Sequence, residues 1–199
     1  MAEKKGAKGA KGRRKTVDKW KKKSWYTIVS SKTFSKKPLC ETPAEKAHHL
    51  EGRTFKVTLD RLTGQRMRRD VSVYFKYDGV QGQTISTKVS KFEVTKATLG
   101  RLIRRRNSKV ASFIKLGVVG GDARVSVVVV TGRKATQRQK TSIRAITDKE
   151  IETLKGKDFE AVVDELLLGK FAGNLAKKAA KICIIKKVVV SKATFTQAK

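Results

Sequence analysis

The sequence predicts an α+β fold: a mainly antiparallel, β-barrel-like sheet with packed amphipathic helices, preceded by a disordered basic N-terminal tail. Three observations carry that expectation. Alternating and β-branched runs fill the stretch from Trp20 to Thr131, apolar residues at three- and four-residue spacing take over after Thr136, and a β-branched run from Ile182 to Val190 closes the chain.

Residues 1–19 are assigned to the tail and 20–199 to a single α+β domain. Met1 to Lys15 is mostly Lys, Arg, Gly and Ala, a composition with too little apolar surface to offset the entropy of ordering. The pattern changes at Trp20, and Trp25, Tyr26, Ile28 and Val29 read as a first strand, the large rings expected as core anchors before base-stacking surfaces. Arg53 to Leu62 alternates around Phe55, Val57 and Leu59, Thr63-Gly64 marks a turn, and Val71 to Tyr77 alternates again, which predicts a hairpin. A second turn at Asp78-Gly79 leads to a strand over Thr84 to Phe92, with Ile85, Thr87 and Val89 on one face.

Thr95 to Arg106 breaks this period. Leu99, Leu102 and Ile103 have helical spacing behind Thr95 as a cap, so a short amphipathic helix is expected to carry Arg101 and Arg104 to Arg106. Ala111 to Val119 and Arg124 to Thr131, joined through Gly120-Gly121-Asp122, read as a tight hairpin whose second strand is central because Val127 to Val130 is apolar without interruption. Ile143, Ile146, Ile151 and Leu154 form one helical stripe, and Phe159, Val162, Val163, Leu166 and Leu167 form another. A third helical stretch covers Leu175 to Lys181, before the closing strand.

Charge bounds the function. There are 48 Lys and Arg against 17 Asp and Glu, a formal net charge of +31 on 199 residues, so the chain needs a polyanion to relieve its self-repulsion. Nucleic acid is the first candidate, since each neutralised phosphate also releases a counterion. A membrane partner is not expected: no run approaches the ~20 apolar residues of a spanning helix, and the basic N-terminus has no apolar segment of a signal peptide behind it. A cytoplasmic location follows.

Catalytic readings find little footing. Cys40 and Cys183 stand alone, without metal-ligand spacing, and are expected as reduced, buried fillers. His48 and His49 are adjacent, so on regular structure they would diverge rather than share a metal or flank one reacting atom. Gly117-Val118-Val119-Gly120-Gly121 and Gly169-Lys170 are fragments of phosphate-binding loops without the full motif, and the first reads as a turn. The expectation is a non-enzyme with no metal, no cofactor and no small-molecule substrate.

The candidate RNA-binding residues are the basic clusters. Lys4, Lys5, Lys8, Lys11, Arg13, Arg14 and Lys15 lie in the tail, and Lys21, Lys22 and Lys23 follow it. Arg66, Arg68 and Arg69 flank a turn; Arg101, Arg104, Arg105 and Arg106 close the short helix; Arg133, Lys134, Arg138 and Lys140 open the next. Arginine suits folded RNA because its planar fork meets two phosphate oxygens at once and stacks on bases. Acid is concentrated instead in Asp148, Glu150, Glu152, Asp158, Glu160, Asp164 and Glu165, so those helices are expected to face away from RNA.

Six segments, in order and spacing, resemble one family: Lys22-Lys23-Ser24-Trp25-Tyr26, Gly52-Arg53-Thr54-Phe55, Gly79-Val80-Gln81-Gly82-Gln83, Leu102-Ile103-Arg104-Arg105-Arg106, Arg133-Lys134-Ala135-Thr136 and Ile143-Arg144-Ala145-Ile146. Together they resemble the archaeal and eukaryotic small-subunit ribosomal protein three-a family, across nearly the whole chain. That resemblance implies an architectural protein on the platform of the small subunit, near the rRNA 3′ end and the mRNA exit. The implied partners are small-subunit rRNA, neighbouring platform proteins, mRNA and initiation factors. Lys181-Ile182-Cys183-Ile184-Ile185 departs from the family pattern of an aromatic followed by Pro, and Asn107 stands where many members have Trp or Thr. The length is expected of an archaeal or reduced form.

Two rivals share the charge: a free-standing RNA chaperone or DNA-compacting protein, and an RNA-modifying or cleaving enzyme.

Overall fold

The computed structural model describes residues 18, 20–65, 68–168 and 171–197. Most of the tail, Arg66 and the Gly169-Lys170 pair lie outside the described residues. Eight strands and five α-helices are described: β1 (Ser24–Val29), β2 (Pro38–Ala44), β3 (Thr54–Thr58), α1 (Leu59–Thr63), β4 (Val71–Gln81), β5 (Thr84–Val94), α2 (Lys96–Leu102), β6 (Lys109–Val118), β7 (Gly121–Thr131), α3 (Gln137–Glu152), α4 (Phe159–Leu167), α5 (Phe171–Ala180) and β8 (Ile185–Gln197). Short 3-10 turns at Lys32–Phe34 and Ala47–Leu50 flank β2.

The strands form one mixed sheet in the order β2-β1-β5-β8-β7-β6, with β4 on the other edge of β5 and β3 beyond it. The α+β class and the antiparallel bias agree with the sequence, but the sheet is not closed into a barrel, and β1 runs parallel to β5. β5 makes this possible by dividing one edge. Its start pairs with β1 through Thr84 to Ser86, and its end pairs with β8 through Lys91 to Glu93.

Several local expectations change. Leu59 to Leu62 winds into α1 rather than extending β3, although β3 and β4 do pair, with Phe55 opposite Phe75 and Val57 opposite Val73. The turn between β4 and β5 falls at Gly82, in the left-handed region at φ 62°, while Asp78-Gly79 is a bulge inside β4. β2 has no counterpart in the sequence reading, because Pro38 and Pro43 argue against a strand; as an edge strand it tolerates the missing donors. α5 begins at Phe171 rather than Leu175, and β8 begins at Ile185 and continues to Gln197.

β7 is central as expected, hydrogen-bonded on both sides, and Val127 to Val130 are all buried. The helices cover one face of β6, β7 and β8. α3 lies along β6, α5 lies along β8, and Phe159 of α4 meets Phe195 of β8 edge to face at 4.9 Å. Ile143, Ile151, Leu154, Val162, Val163 and Leu175 are almost fully buried there, against Val110, Val125, Val127 and Val129. Burying each such side chain stabilises the fold by roughly 1.5–3 kcal/mol, which makes this helix-on-sheet contact the main cohesive layer. A smaller cluster of Ile28, Ala44, Leu50 and Ile85 sits under β1 and β2.

Candidate nucleic-acid interface

Three connections meet at one end of the β6-β7-β8 sheet: the α2–β6 segment carrying Arg104 to Arg106, the β7–α3 segment carrying Arg133 and Lys134, and the α5–β8 segment ending at Ile184. The joint between the first two is a buried pair. The Ser108 amide donates to Thr131 Oγ1 at 2.9 Å, the Thr131 amide donates to the Ser108 carbonyl at 3.0 Å, and the Ala135 amide donates to Ser108 Oγ at 3.0 Å. The Thr131 hydroxyl lies 2.6 Å from the Arg133 carbonyl, which it serves as donor.

The third connection is held as tightly. The Gly132 amide donates to the Ile184 carbonyl at 2.8 Å, and a Cβ on Gly132 would lie 3.0 Å from Ile184 Cγ2, close enough that the Ile184 side chain would have to shift by a few tenths of an ångström. Lys186 Nζ reaches the Leu102 carbonyl at 3.4 Å, tying the start of β8 to the end of α2.

Arg104 to Arg106 therefore do not sit on a helix. α2 ends at Leu102, and the three arginines form a turn closed by the Asn107 amide on the Arg104 carbonyl at 3.2 Å. Arg106 is left-handed at φ 70°, a region that costs an L-residue about 1–2 kcal/mol. Likewise Arg133 and Lys134 precede α3, whose first turn is fixed by a capping box between Thr136 and Gln139. All five side chains are exposed, as are Arg101 and Arg138, while Lys140 is half-buried. The N-terminus of α3 adds its own partial positive charge to this end.

No Asp or Glu occurs in residues 94–121, 123–147 or 166–199, the segments that build this end. Among the described residues, none of the ion pairs uses its arginines. Acid collects at the other end, around the β6–β7 hairpin, where the Gly156 amide donates to the Gly117 carbonyl and Val119 pairs with Asp158. Glu150 pairs with Lys178, and Glu165 with Lys157 at 2.5 Å. The 16 residues of α3 separate the two ends by about 24 Å.

Other basic residues are placed differently. Arg68 is half-buried and donates from its guanidinium to the Leu167 carbonyl, so it braces α4; Arg69 is exposed and pairs with Asp60 at 3.5 Å. Lys21, Lys22 and Lys23 are exposed, and Lys23 Nζ stands 4.6 Å from the Trp20 ring centroid. Trp20 and Trp25 are 60% and 58% exposed, which corrects their reading as core anchors: β1 buries Ile28 and turns Trp25 outward, and Trp20 lies in the turn before the strand. Lys4, Lys5, Lys8, Lys11, Arg13, Arg14, Lys15 and Arg66 lie outside the described residues.

The sequence reading passed over Lys186 and Lys187, both exposed at the basic end, because they interrupt a β-branched run and look like part of its alternation. Cys40 is exposed rather than a buried filler, because edge strand β2 turns it outward, and Cys183 is half-buried. The rings of His48 and His49 do not diverge; the 3-10 turn brings their centroids to 4.3 Å. Among the described residues, no three or more His, Cys, Asp and Glu side chains gather into a metal-binding group. No described helix is long and apolar enough to cross a membrane.

Comparison with known proteins bears on the chain as a whole. Residues 11–199 match the model of the Ribosomal S3Ae family. The chain is 35% identical over 179 residues to the small ribosomal subunit protein eS1 of Archaeoglobus fulgidus, covering 88% of this chain and 85% of the relative. It is 33% identical over 185 residues to the protein of the same name from Methanobrevibacter smithii, covering 92% and 96%. With the counterpart from Sulfurisphaera tokodaii it shares 33% identity over 183 residues, covering 91% and 95%.

Proposed function

Because this chain belongs to the Ribosomal S3Ae family, we propose that it is a structural constituent of the small ribosomal subunit that holds rRNA on the platform, near the rRNA 3′ end and the mRNA exit. The observation that carries this reading is the polarity of the molecule. One end of the β6-β7-β8 sheet gathers exposed Arg104, Arg105, Arg106, Arg133 and Lys134 on hydrogen-bonded connections, and the other end holds the acid.

Arginines carried on connections whose backbones are hydrogen-bonded to one another suit folded RNA, and recognition then follows shape and backbone rather than base sequence. The work is architectural and asks for no bond-making chemistry. Residues 20–199 act as one rRNA-binding unit, with the basic tail following the RNA surface beyond it. The acidic end, with Glu152, Asp158 and Glu160 exposed, suits solvent or neighbouring platform proteins, while mRNA and initiation factors pass nearby.

A crosslink map in the intact subunit tests the placement. Peptides carrying Arg104 to Arg106 and Arg133 to Lys134 should join to rRNA near its 3′ end. Crosslinks confined to other rRNA domains would overturn it.

A further inference from the structure

The face of the sheet opposite the helices carries a row of four cations interspersed with Tyr74 and Thr194. Strand register sets Lys56 opposite Tyr74, Tyr74 opposite Lys91, Lys91 opposite Thr194, Thr194 opposite Arg124 and Arg124 opposite Lys115. Directly paired residues share a face, so these six side chains form one line across β3, β4, β5, β8, β7 and β6, and none of the register shifts falls within it. Five strand spacings make it about 24 Å long. Two contacts confirm the shared face: Lys91 Nζ lies 4.0 Å and Lys56 Nζ 5.8 Å from the Tyr74 ring centroid.

The neighbouring row supplies an aromatic ring. Phe113, opposite Ser126 on edge strand β6, is 61% exposed, and its near neighbours on that face are Lys115 and Arg124. A phenylalanine gains nothing from water, and here it stands among cations rather than apolar residues. The one carboxylate in that row, Glu93, is occupied by the Tyr74 hydroxyl at 2.5 Å and by Lys91 at 3.7 Å.

We infer that this open sheet face is a second RNA surface, one that takes a single-stranded segment, its backbone following the Lys56–Lys115 line and one base stacking on Phe113. The inference rests on the ribosomal reading above and adds the form of RNA and the surface that holds it. Charge complementarity favours a polyanion over a protein partner. The exposed ring favours a single strand over a duplex, since only unpaired bases offer a face to stack. The row's length suits a short tract, from about four nucleotides upward.

The test uses the full-length protein and a 12-nucleotide oligouridylate containing 4-thiouridine. Photocrosslinking followed by tryptic mapping should mark the peptide of residues 110–115, which contains Phe113. In parallel, Phe113→Ser should weaken oligonucleotide binding about tenfold. Lys115→Ala with Arg124→Ala should lower the salt slope by about 1.4, two counterions at about 0.7 each. Replacing Arg104, Arg105 and Arg106 by Ala should leave the crosslink in place. All these sites are exposed, so folding is retained.

Crosslinks only to the tail, or equal affinity in the Phe113 and Lys115–Arg124 variants, would overturn the inference. So would a parent dimer that Phe113→Ser converts to monomer, because the face would then belong to a second copy. Failure of the ribosomal reading looks different: the parent would still crosslink through Phe113 yet would not accompany small subunits.

Discussion

Ser108 and Thr131 exchange backbone and side-chain hydrogen bonds across 23 positions of sequence, with the Ser108 amide 2.9 Å from Thr131 Oγ1 and the Thr131 amide 3.0 Å from the Ser108 carbonyl. Both are buried, and each stands at the root of an arginine-bearing segment, so this pair sets the distance between the two basic clusters. Thr131→Val keeps the shape and removes the acceptor for the Ser108 amide. It is expected to destabilise the fold by about 1–3 kcal/mol, the range for an unpaired buried donor. Thermal denaturation checks the magnitude, and faster hydrogen exchange at Ser108 checks the location.

Replacing Arg104, Arg105 and Arg106 together by Ala should weaken rRNA binding and flatten its dependence on salt. Three lost phosphate contacts remove about 2.7 from the logarithmic slope if all three face duplex phosphates. Filter binding to an rRNA fragment over a salt series reads this directly, and an unchanged slope contradicts the role given to the turn.

Charge reversal at the acidic end should do the opposite of harm to RNA affinity. Glu152→Lys with Glu160→Lys alters two exposed positions, the last residue of α3 and one in the first turn of α4, so rRNA binding should stay level or tighten slightly. A large loss in the same assay would place RNA on the wrong side of the molecule.

Asp164 is half-buried on α4. Its Oδ1 has no hydrogen-bond partner, and desolvation, with help from the Glu160 charge, raises its carboxyl above the ordinary value. A raised folded value means that its contribution to stability is fully present below the unfolded value and is lost as pH rises through the folded one. Asp164→Asn should therefore raise stability at pH 7, where the ordinary aspartate is charged, as read by thermal melts. The gain should vanish in melts taken below the ordinary aspartate range.

Glu93 has the opposite sign. The Tyr74 hydroxyl, then the charges of Lys91, Lys192 and Lys56, hold its carboxyl below the usual glutamate value against some desolvation. Its stabilising effect is present above the unfolded value and fades as pH falls through the folded one. Tyr74→Phe should move the Glu93 titration back upward, as read by carboxyl chemical shifts.

Much of this was legible in advance because local pattern and burial agree. The four-valine run of β7 could only be a strand covered on both faces, and the stripe through Ile143 and Ile151 fixed the buried side of α3. What escaped depends on pairing. Pro38 and Pro43 mask β2 because the sheet edge that tolerates them is a tertiary fact. Helical spacing at Leu99, Leu102 and Ile103 carried the expected helix into Arg104, yet the demand of Ser108 for Thr131 turns the chain first. The convergence of Arg106 with Arg133, and the row from Lys56 to Lys115, exist only once strand register is known.

The central claim, a small-subunit constituent rather than a free nucleic-acid binder, is tested most directly by sedimentation of cell extract carrying the tagged chain. The expected result is about one copy per small subunit, retained through moderate salt. A chain found mainly at the top of the gradient, with small subunits lacking it, would contradict the account.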